Sequence, residues 1–209
     1  DWVDPQTCHH RDVEIWDRSN GRIYRVRYGD TQPYSFNLNQ ESDLALINRL
    51  ASSNVYFARQ AQRILQERSA RGDLDRSDAS KALTNLWTVH AENTDLRLRF
   101  LWTAAVCRLW DSSELLNLTG DSDPYIRGWA IQFLGESNQA LDANALKTLE
   151  ELAETETSLI ARRYLASLLQ RLPLEQRWTL AAQLASDPIN QTDKNIPHLA
   201  WYGIEPLVE

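Results

Sequence analysis

Asp121–Glu136 reads DSDPYIRGWAIQFLGE, and this segment carries the signals of a short amphipathic helix. Asp123 is a suitable N-cap, and Pro124 follows at the first helical position, where its missing N–H costs nothing. Gly135 stands where a left-handed residue can end a helix. Apolar residues recur three and four positions apart and form one stripe: Ile126, Trp129, Ala130, Phe133 and Leu134.

The same apolar spacing recurs at three other places in the chain, each time with an arginine beside it. The copies recur at intervals of roughly 30 to 40 residues, which fits a stack of helical hairpins. Because one hairpin cannot bury its stripe alone, neighbouring hairpins must stack to make a continuous core. The arginines of the four copies are Arg59, Arg99, Arg127 and Arg162.

This repetition predicts an all-α fold, a HEAT-like α-solenoid of about five helical hairpins with a short N-terminal β-hairpin segment. We expect residues 1–36 to form a strand-rich segment and residues 37–209 to form the helical repeat domain. Short polar or proline-containing joints separate the predicted helices. The hairpins pair 41–51 with 54–71, 77–91 with 94–110, 112–119 with 122–136, 142–155 with 157–172, and 174–186 with 196–209.

The strand-rich segment contains two β-branched and aromatic runs, VEIWD at 13–17 and RIYRVRY at 22–28. The second run alternates with period two, as strands do. Asn20-Gly21 lies between them and favours a hairpin turn. Two strands are too few to be stable alone. We therefore expect this hairpin to pair with a further sheet or to lean on the helices.

Composition excludes some classes of function. The net charge of −7 and the pI near 5.2 argue against nucleic acid as a partner. No apolar run approaches the roughly 18 residues that a membrane span requires. The chain begins at Asp1 and contains no methionine, so we expect it to be part of a longer protein. Cys8 and Cys107 are predicted to be free, with Cys107 in a helix core.

Cys8, His9, His10 and Asp12 form the one cluster that resembles a metal or cofactor site. Haem attachment through two thioethers requires Cys-x-x-Cys-His, and Pro5 occupies the place of the first cysteine. Zinc would need two further spaced ligands, for which only the two histidines in the helical region remain. A structural loop is the favoured interpretation, and a metal or substrate site is the alternative. We expect no cofactor in this segment.

No pattern typical of a catalytic nucleophile or a phosphate-binding loop occurs in the sequence. The four stripe arginines therefore become the candidate interaction residues. In one interpretation they form a ladder with acids such as Asp95 or Asp123 of adjacent repeats. In the other they form a stripe on the concave surface that binds an acidic peptide. The ladder is favoured, and the choice depends on geometry.

The tryptophans admit two interpretations as well. Trp87, Trp102 and Trp129 fall on apolar stripes and are predicted to be core residues. The tryptophans near helix ends could also be buried, although a buried indole N–H needs a hydrogen-bond acceptor. The alternative for them is an exposed aromatic patch that binds another protein. Packing is favoured for this second group, which comprises Trp110, Trp178 and the Trp201-Tyr202 pair.

Several segments resemble the planctomycete-type membrane-bound dehydrogenases. The opening DWVDP…HHRD…EIWDRSNGRIYRV is similar to the closing segment of their sugar-dehydrogenase-like β-propeller. NVYFARQAQRILQERS, LRLRFLWTAAV, DPYIRGWAIQFLGES and HLAWYGIEPLV are similar to the HEAT-like repeat region that follows it. GRIYRV and WYGIEPLV carry the resemblance most specifically, because any helical solenoid shares the rest.

The resemblance implies that the chain spans the end of a propeller and the repeat region. Asp1, Trp2, Asp4 and 21–26 would then close the propeller sheet. The family's redox chemistry, and its c-type cytochrome module with a CxxCH motif, would lie outside these residues, and no catalytic residue is carried over. The implied location is the periplasm or the cell envelope, and the implied partners are a protein or other domains of the parent chain.

Two functions follow from these observations. The first is a non-catalytic helical-repeat scaffold or protein-interaction domain, within a larger membrane-associated dehydrogenase. It depends on the repeated stripe and on the lack of a catalytic set. The alternative is part of a redox enzyme whose His9, His10 and Asp12 contribute to a metal or substrate site.

Overall fold

A computed structural model describes residues 23–30, 35–136 and 140–208. The chain divides into two units, Asp1–Phe36 and Asn37–Glu209. Within the second unit the described residues form helices and connecting turns, and they contain no strand. The predicted all-α class is therefore confirmed for this part of the chain.

Ten α-helices lie in the described part of the second unit, and each falls where the sequence pattern predicts one. Short 3-10 turns add Leu38–Gln40, Leu169–Arg171, Leu174–Gln176, Pro188–Thr192 and Glu205–Leu207. The helices are α1 Asp43–Arg49, α2 Val55–Arg71, α3 Arg76–Val89, α4 Thr94–Val106, α5 Ser112–Leu118, α6 Pro124–Gly135, α7 Ala143–Thr155, α8 Leu159–Leu168, α9 Trp178–Ser186 and α10 Ile196–Ile204.

Polar caps fix where most of these helices begin. Before α6, the Asp123 carboxylate accepts hydrogen bonds from the backbone N–H groups of Tyr125 and Ile126, as the sequence predicts. Before α5, Asp111 and Glu114 form a reciprocal capping box. Such caps satisfy N–H groups that have no partner inside the helix, and each stabilises its helix by about 1 kcal/mol.

Gly135 corrects the predicted helix stop. It is the last residue of α6, it is buried, and its backbone is not left-handed. A Cβ atom at this position would lie 2.4 Å from the Leu168 Cδ1 atom of α8, and one at Gly128 would lie 2.4 Å from the Tyr164 ring. The glycines of α6 therefore allow α6 and α8 to approach closely, a role that a single sequence cannot distinguish from capping.

The even-numbered helices pack in chain order, α2 on α4, α4 on α6, α6 on α8 and α8 on α10. Among the odd-numbered helices, α1 packs on α3 and α7 packs on α9. Consecutive helices also pack as hairpins, most closely α1 with α2 and α5 with α6. Two apolar cores result, and Trp87 and Trp110 pack against both of them.

The predicted N-terminal hairpin is not confirmed. Residues 23–28 have no regular secondary structure, and the side chains of Ile23, Val26 and Tyr28 are almost wholly exposed. An alternating pattern specifies a strand only when a neighbouring strand or core covers one face, and the side chains on both faces of this run are exposed. The first predicted strand, 13–17, lies outside the described residues.

Candidate interaction surface

The N-caps of α4, α6 and α8 stand at the same distance from an arginine. Counting four residues on from the caps Asn93, Asp123 and Ser158 reaches Arg97 in α4, Arg127 in α6 and Arg162 in α8. Arg97 thus takes the place that the sequence analysis gave to Arg99. The interval between apolar stripes does not fix the register as closely as the cap does, because a stripe looks similar when it is shifted by one turn.

Arg127 shows what this position does. Its Nε and Nη2 atoms donate to the two carboxylate oxygens of Glu156 at 2.6 and 2.7 Å. Glu156 lies in the turn between α7 and α8, so the bond joins α6 to the next hairpin. Its Oε1 atom also accepts the Ser158 N–H at 2.7 Å, where Ser158 caps α8. One carboxylate therefore binds both α6 and the start of α8.

The same arrangement recurs on either side. Arg97 makes a two-point ion pair with Asp121, which accepts the N–H of the α6 cap Asp123 at 2.9 Å. Arg163 donates to Asp193 at 2.7 Å, and Asp193 accepts the N–H of Asn195, the residue before α10, at 2.8 Å. In all three cases the acid lies two residues before the N-cap position of an even-numbered helix.

Arg162 extends this ladder in the most buried position. It is 2% exposed, and it donates to the Glu156 backbone carbonyl at 2.6 Å and to Asn190 Oδ1 at 3.3 Å. It also pairs with the Asp187 carboxylate. Because a buried guanidinium is costly without partners, an acceptor at each of its three nitrogen atoms explains how the charge is tolerated.

The four arginines named by the sequence therefore do not form one open row. Arg127 and Arg162 belong to the ladder, and Arg99 donates to the Leu50 and Ser52 carbonyls at 2.7 and 3.2 Å. Arg59 is exposed, and within the described ranges no hydrogen bond or ion pair engages it. The ladder partners also differ from those suggested, since Asp123 accepts from Thr94 Oγ1 instead of an arginine.

Electrostatics agrees with a charged ladder. Burial raises the pKa of Glu156, but hydrogen bonds from Arg127 and from the Ser158 N–H outweigh it and hold the pKa below its ordinary value. The hydrogen bond to Glu156 likewise raises the pKa of Arg127. Both side chains thus remain ionised at neutral pH. Each charge is neutralised by the other within the ion pair and is not available to a ligand.

Aromatic side chains form a second row, which runs along α4, α6 and α8. Trp102 of α4 meets Trp129 of α6 edge to face, with 5.4 Å between ring centroids. Trp129 in turn lies 5.4 Å from Phe133 and 6.0 Å from Tyr164 of α8. Each of these side chains is only partly buried. We call Trp102, Trp129, Phe133 and Tyr164 the aromatic row.

The C-terminal tryptophans correct the prediction that they pack. Trp178 is 61% exposed, Trp201 is 48% exposed and Tyr202 is 54% exposed. By contrast, Trp110 packs against Trp87 with 5.2 Å between ring centroids, as predicted. The apolar spacing that marks an amphipathic helix does not say whether a neighbour covers its second face, which is why sequence alone favoured packing for these residues.

His9, His10 and Asp12 lie outside the described residues, as does Cys8. The part of the chain that the structure describes contains no group of three His, Cys, Asp or Glu side chains placed to hold a metal ion. Cys107 is free and fully buried, and burial raises the pKa of its thiol to about 12. No helix among the described residues combines the length and the apolar character of a membrane span.

Comparison with protein-family models found no match, and comparison with curated proteins and with solved structures found none either.

Proposed function

We propose that residues 37–209 are a HEAT-like α-solenoid that serves as a non-catalytic protein-interaction scaffold. The observation that carries the proposal is the ordered packing of α2, α4, α6, α8 and α10, each against the next. In a solenoid the inner helices stack in this way, and their remaining face forms an extended binding surface.

The aromatic row is the contact surface that we assign to a protein partner. Aromatic side chains supply large, rigid contact area with little loss of conformational entropy, and they are enriched at the centres of interfaces. Because the rings pack against one another across α4, α6 and α8, they present a preformed surface, which lowers the cost of binding. The partner class is an extended segment or domain of a protein, including another domain of a parent chain.

Site-specific photocrosslinking tests this proposal. A photoreactive residue replaces Gln132, which is partly exposed beside Phe133, and in a matched variant it replaces Thr84 on the outer helix α3. With the full chain produced in its native host, we expect a discrete protein adduct at position 132 and none at position 84. No adduct at position 132, or the same adducts at both positions, would contradict the proposal.

The resemblance of GRIYRV and WYGIEPLV to the planctomycete-type dehydrogenases supports a second proposal. In it, the chain belongs to a larger redox enzyme of the cell envelope, and His9, His10 and Asp12 help to form a metal or substrate site. Metal analysis of purified protein, with and without His10→Ala, tests the site. Stoichiometric metal that is lost in the variant supports it, and an absence of metal from both proteins rules out the metal site.

A further inference from the structure

The exposed faces of the outer helices differ in chemistry. On α3 the exposed positions at helical spacing are Ser77, Lys81, Thr84 and Thr88, all polar. On α7 they are Asn144, Lys147, Glu151 and Glu154, again polar. On α9 and the turn before it, the equivalent positions are Leu174, Trp178, Ala182 and Ala185, all apolar. The four positions of α9 and its preceding turn thus form an apolar exposed stripe, whereas the four positions compared on α3 and on α7 are polar.

Helix α10 has two opposite faces. Ile196, Ala200 and Gly203 are buried, and the helix packs with them on α8 and the 3-10 turn that follows it. A Cβ at Gly203 would lie 2.5 Å from the Leu169 Cβ, so this contact is close. Trp201 and Tyr202 point away from it and are about half exposed.

The packing of α10 differs from that of the other even-numbered helices. Helices α4, α6 and α8 each pack between two even-numbered neighbours, whereas α10 has α8 on one side and no further helix of the described chain on the other. An apolar face at the end of a helical stack is suited to another helical face.

The polar residues along α10 indicate that this other helix is α10 of a second copy of the chain. Lys194 and His198 lie on the exposed stripe at its beginning, and Glu205 lies on the same stripe just past its end. When two such helices meet antiparallel about a two-fold axis between Trp201 and Tyr202, position 198 of one copy faces position 205 of the other. The same axis places Trp201 opposite Tyr202. The stripe is therefore complementary to itself, as an isologous interface requires.

We propose that the exposed face of α9 and α10 is a homodimer interface, in which α10 pairs antiparallel with α10 of a second copy. The aromatic pair occupies the centre of this interface, and the two 198–205 pairs flank it. The inference concerns Trp201 and Tyr202, which are not members of the aromatic row.

Sedimentation equilibrium of the full chain over a range of concentrations tests the dimer. We expect a reversible monomer–dimer equilibrium for the wild type and a dissociation constant raised about tenfold or more by Trp201→Glu. Val89→Glu is the matched control, because Val89 is 67% exposed on α3 and lies away from this interface. It should leave the dissociation constant unchanged.

A charge exchange distinguishes this geometry from any other association. Glu205→Lys should weaken the dimer, because the introduced ammonium group would then face His198 and lie near Lys194 of the second copy. Adding His198→Glu should restore it, because the introduced ammonium group then faces a carboxylate. All these positions are exposed, so the variants are expected to fold. A wild type that remains monomeric, one that grows beyond dimers, or a double variant that stays weakened would each overturn the proposal.

Discussion

The joint between α2 and α4 differs from the joint between α6 and α8. In the later joint, Arg127 binds Glu156 with two hydrogen bonds, and two glycines let the helices approach closely. In the earlier joint, the position four residues after the cap is Ala58, and the residue two before the α4 cap is Ala91. The two sites of the ion pair are thus both occupied by alanine there.

This difference teaches that successive even-numbered helices are not joined to one another in a uniform way. The α6–α8 joint combines the most extensive helix contact of the described chain with a buried charged bond. The α2–α4 joint has apolar packing and the hydrogen bond from Ser69 Oγ to the Cys107 carbonyl at 2.8 Å, and the Arg99 bonds join α4 to the end of α1. In repeat arrays, stability is close to a sum of neighbour terms, so unequal joints imply unequal local stability.

The largest expected effect comes from Arg127→Met. The variant leaves the Glu156 carboxylate, which is 4% exposed, without its cation. Breaking a buried ion pair in this way costs about 3–5 kcal/mol of unfolding free energy. Urea unfolding followed by circular dichroism measures it.

The control for this variant is Arg63→Met, which breaks the exposed pair with Glu67. Exposed pairs contribute about 0–1 kcal/mol, so this loss should be far smaller. Equal losses in the two variants would show that the ladder does not fasten the repeats.

Gly128→Ala should have the next largest effect. The new Cβ would lie 2.4 and 2.6 Å from two carbon atoms of the Tyr164 ring, so either the ring or the helix must move. Overpacking of this kind costs about 1–3 kcal/mol, against a gain of up to about 1 kcal/mol for removing a helical glycine. We therefore expect a net loss in thermal unfolding. Gly120→Ala, where the nearest atom is 3.6 Å away, should show no loss.

The pH dependence should show the smallest effect. The folded-state pKa of Glu156 is below its ordinary value, so the unfolded chain binds more protons in acid. The stability from this group is complete above the unfolded pKa of about 4.3 and is lost as pH falls through the folded pKa. Wild type should lose stability more steeply than Glu156→Gln below about pH 4.3. Parallel profiles would contradict this assignment.

The sequence predicted the helices well and their joints poorly. The N-cap Asp123 and the stripe around Ile126 place α6 within about two residues, because capping and periodicity are local. The partner of Arg127 could not be chosen, because the chain contains 29 acidic residues and only the fold brings Glu156 near. Arg97 was within reach, since it lies at the same distance from its cap as Arg127 does.

Two other features show where local signals end. Gly135 fits both a helix stop and a close helix contact, and only the position of Leu168 distinguishes them. Trp201 has the spacing of a core residue, but no neighbouring helix of the described chain covers it. In both cases the deciding information is the distance to a neighbouring helix, which a single sequence does not contain.

Hydrogen exchange measured helix by helix, on wild type and on Arg127→Met, tests the central claim most directly. If the ladder fastens successive repeats, wild-type α6 and α8 exchange most slowly, and the variant loses protection in both together while α1 and α2 keep theirs. A uniform loss over all ten helices described here, or unchanged protection in α8, would contradict the account.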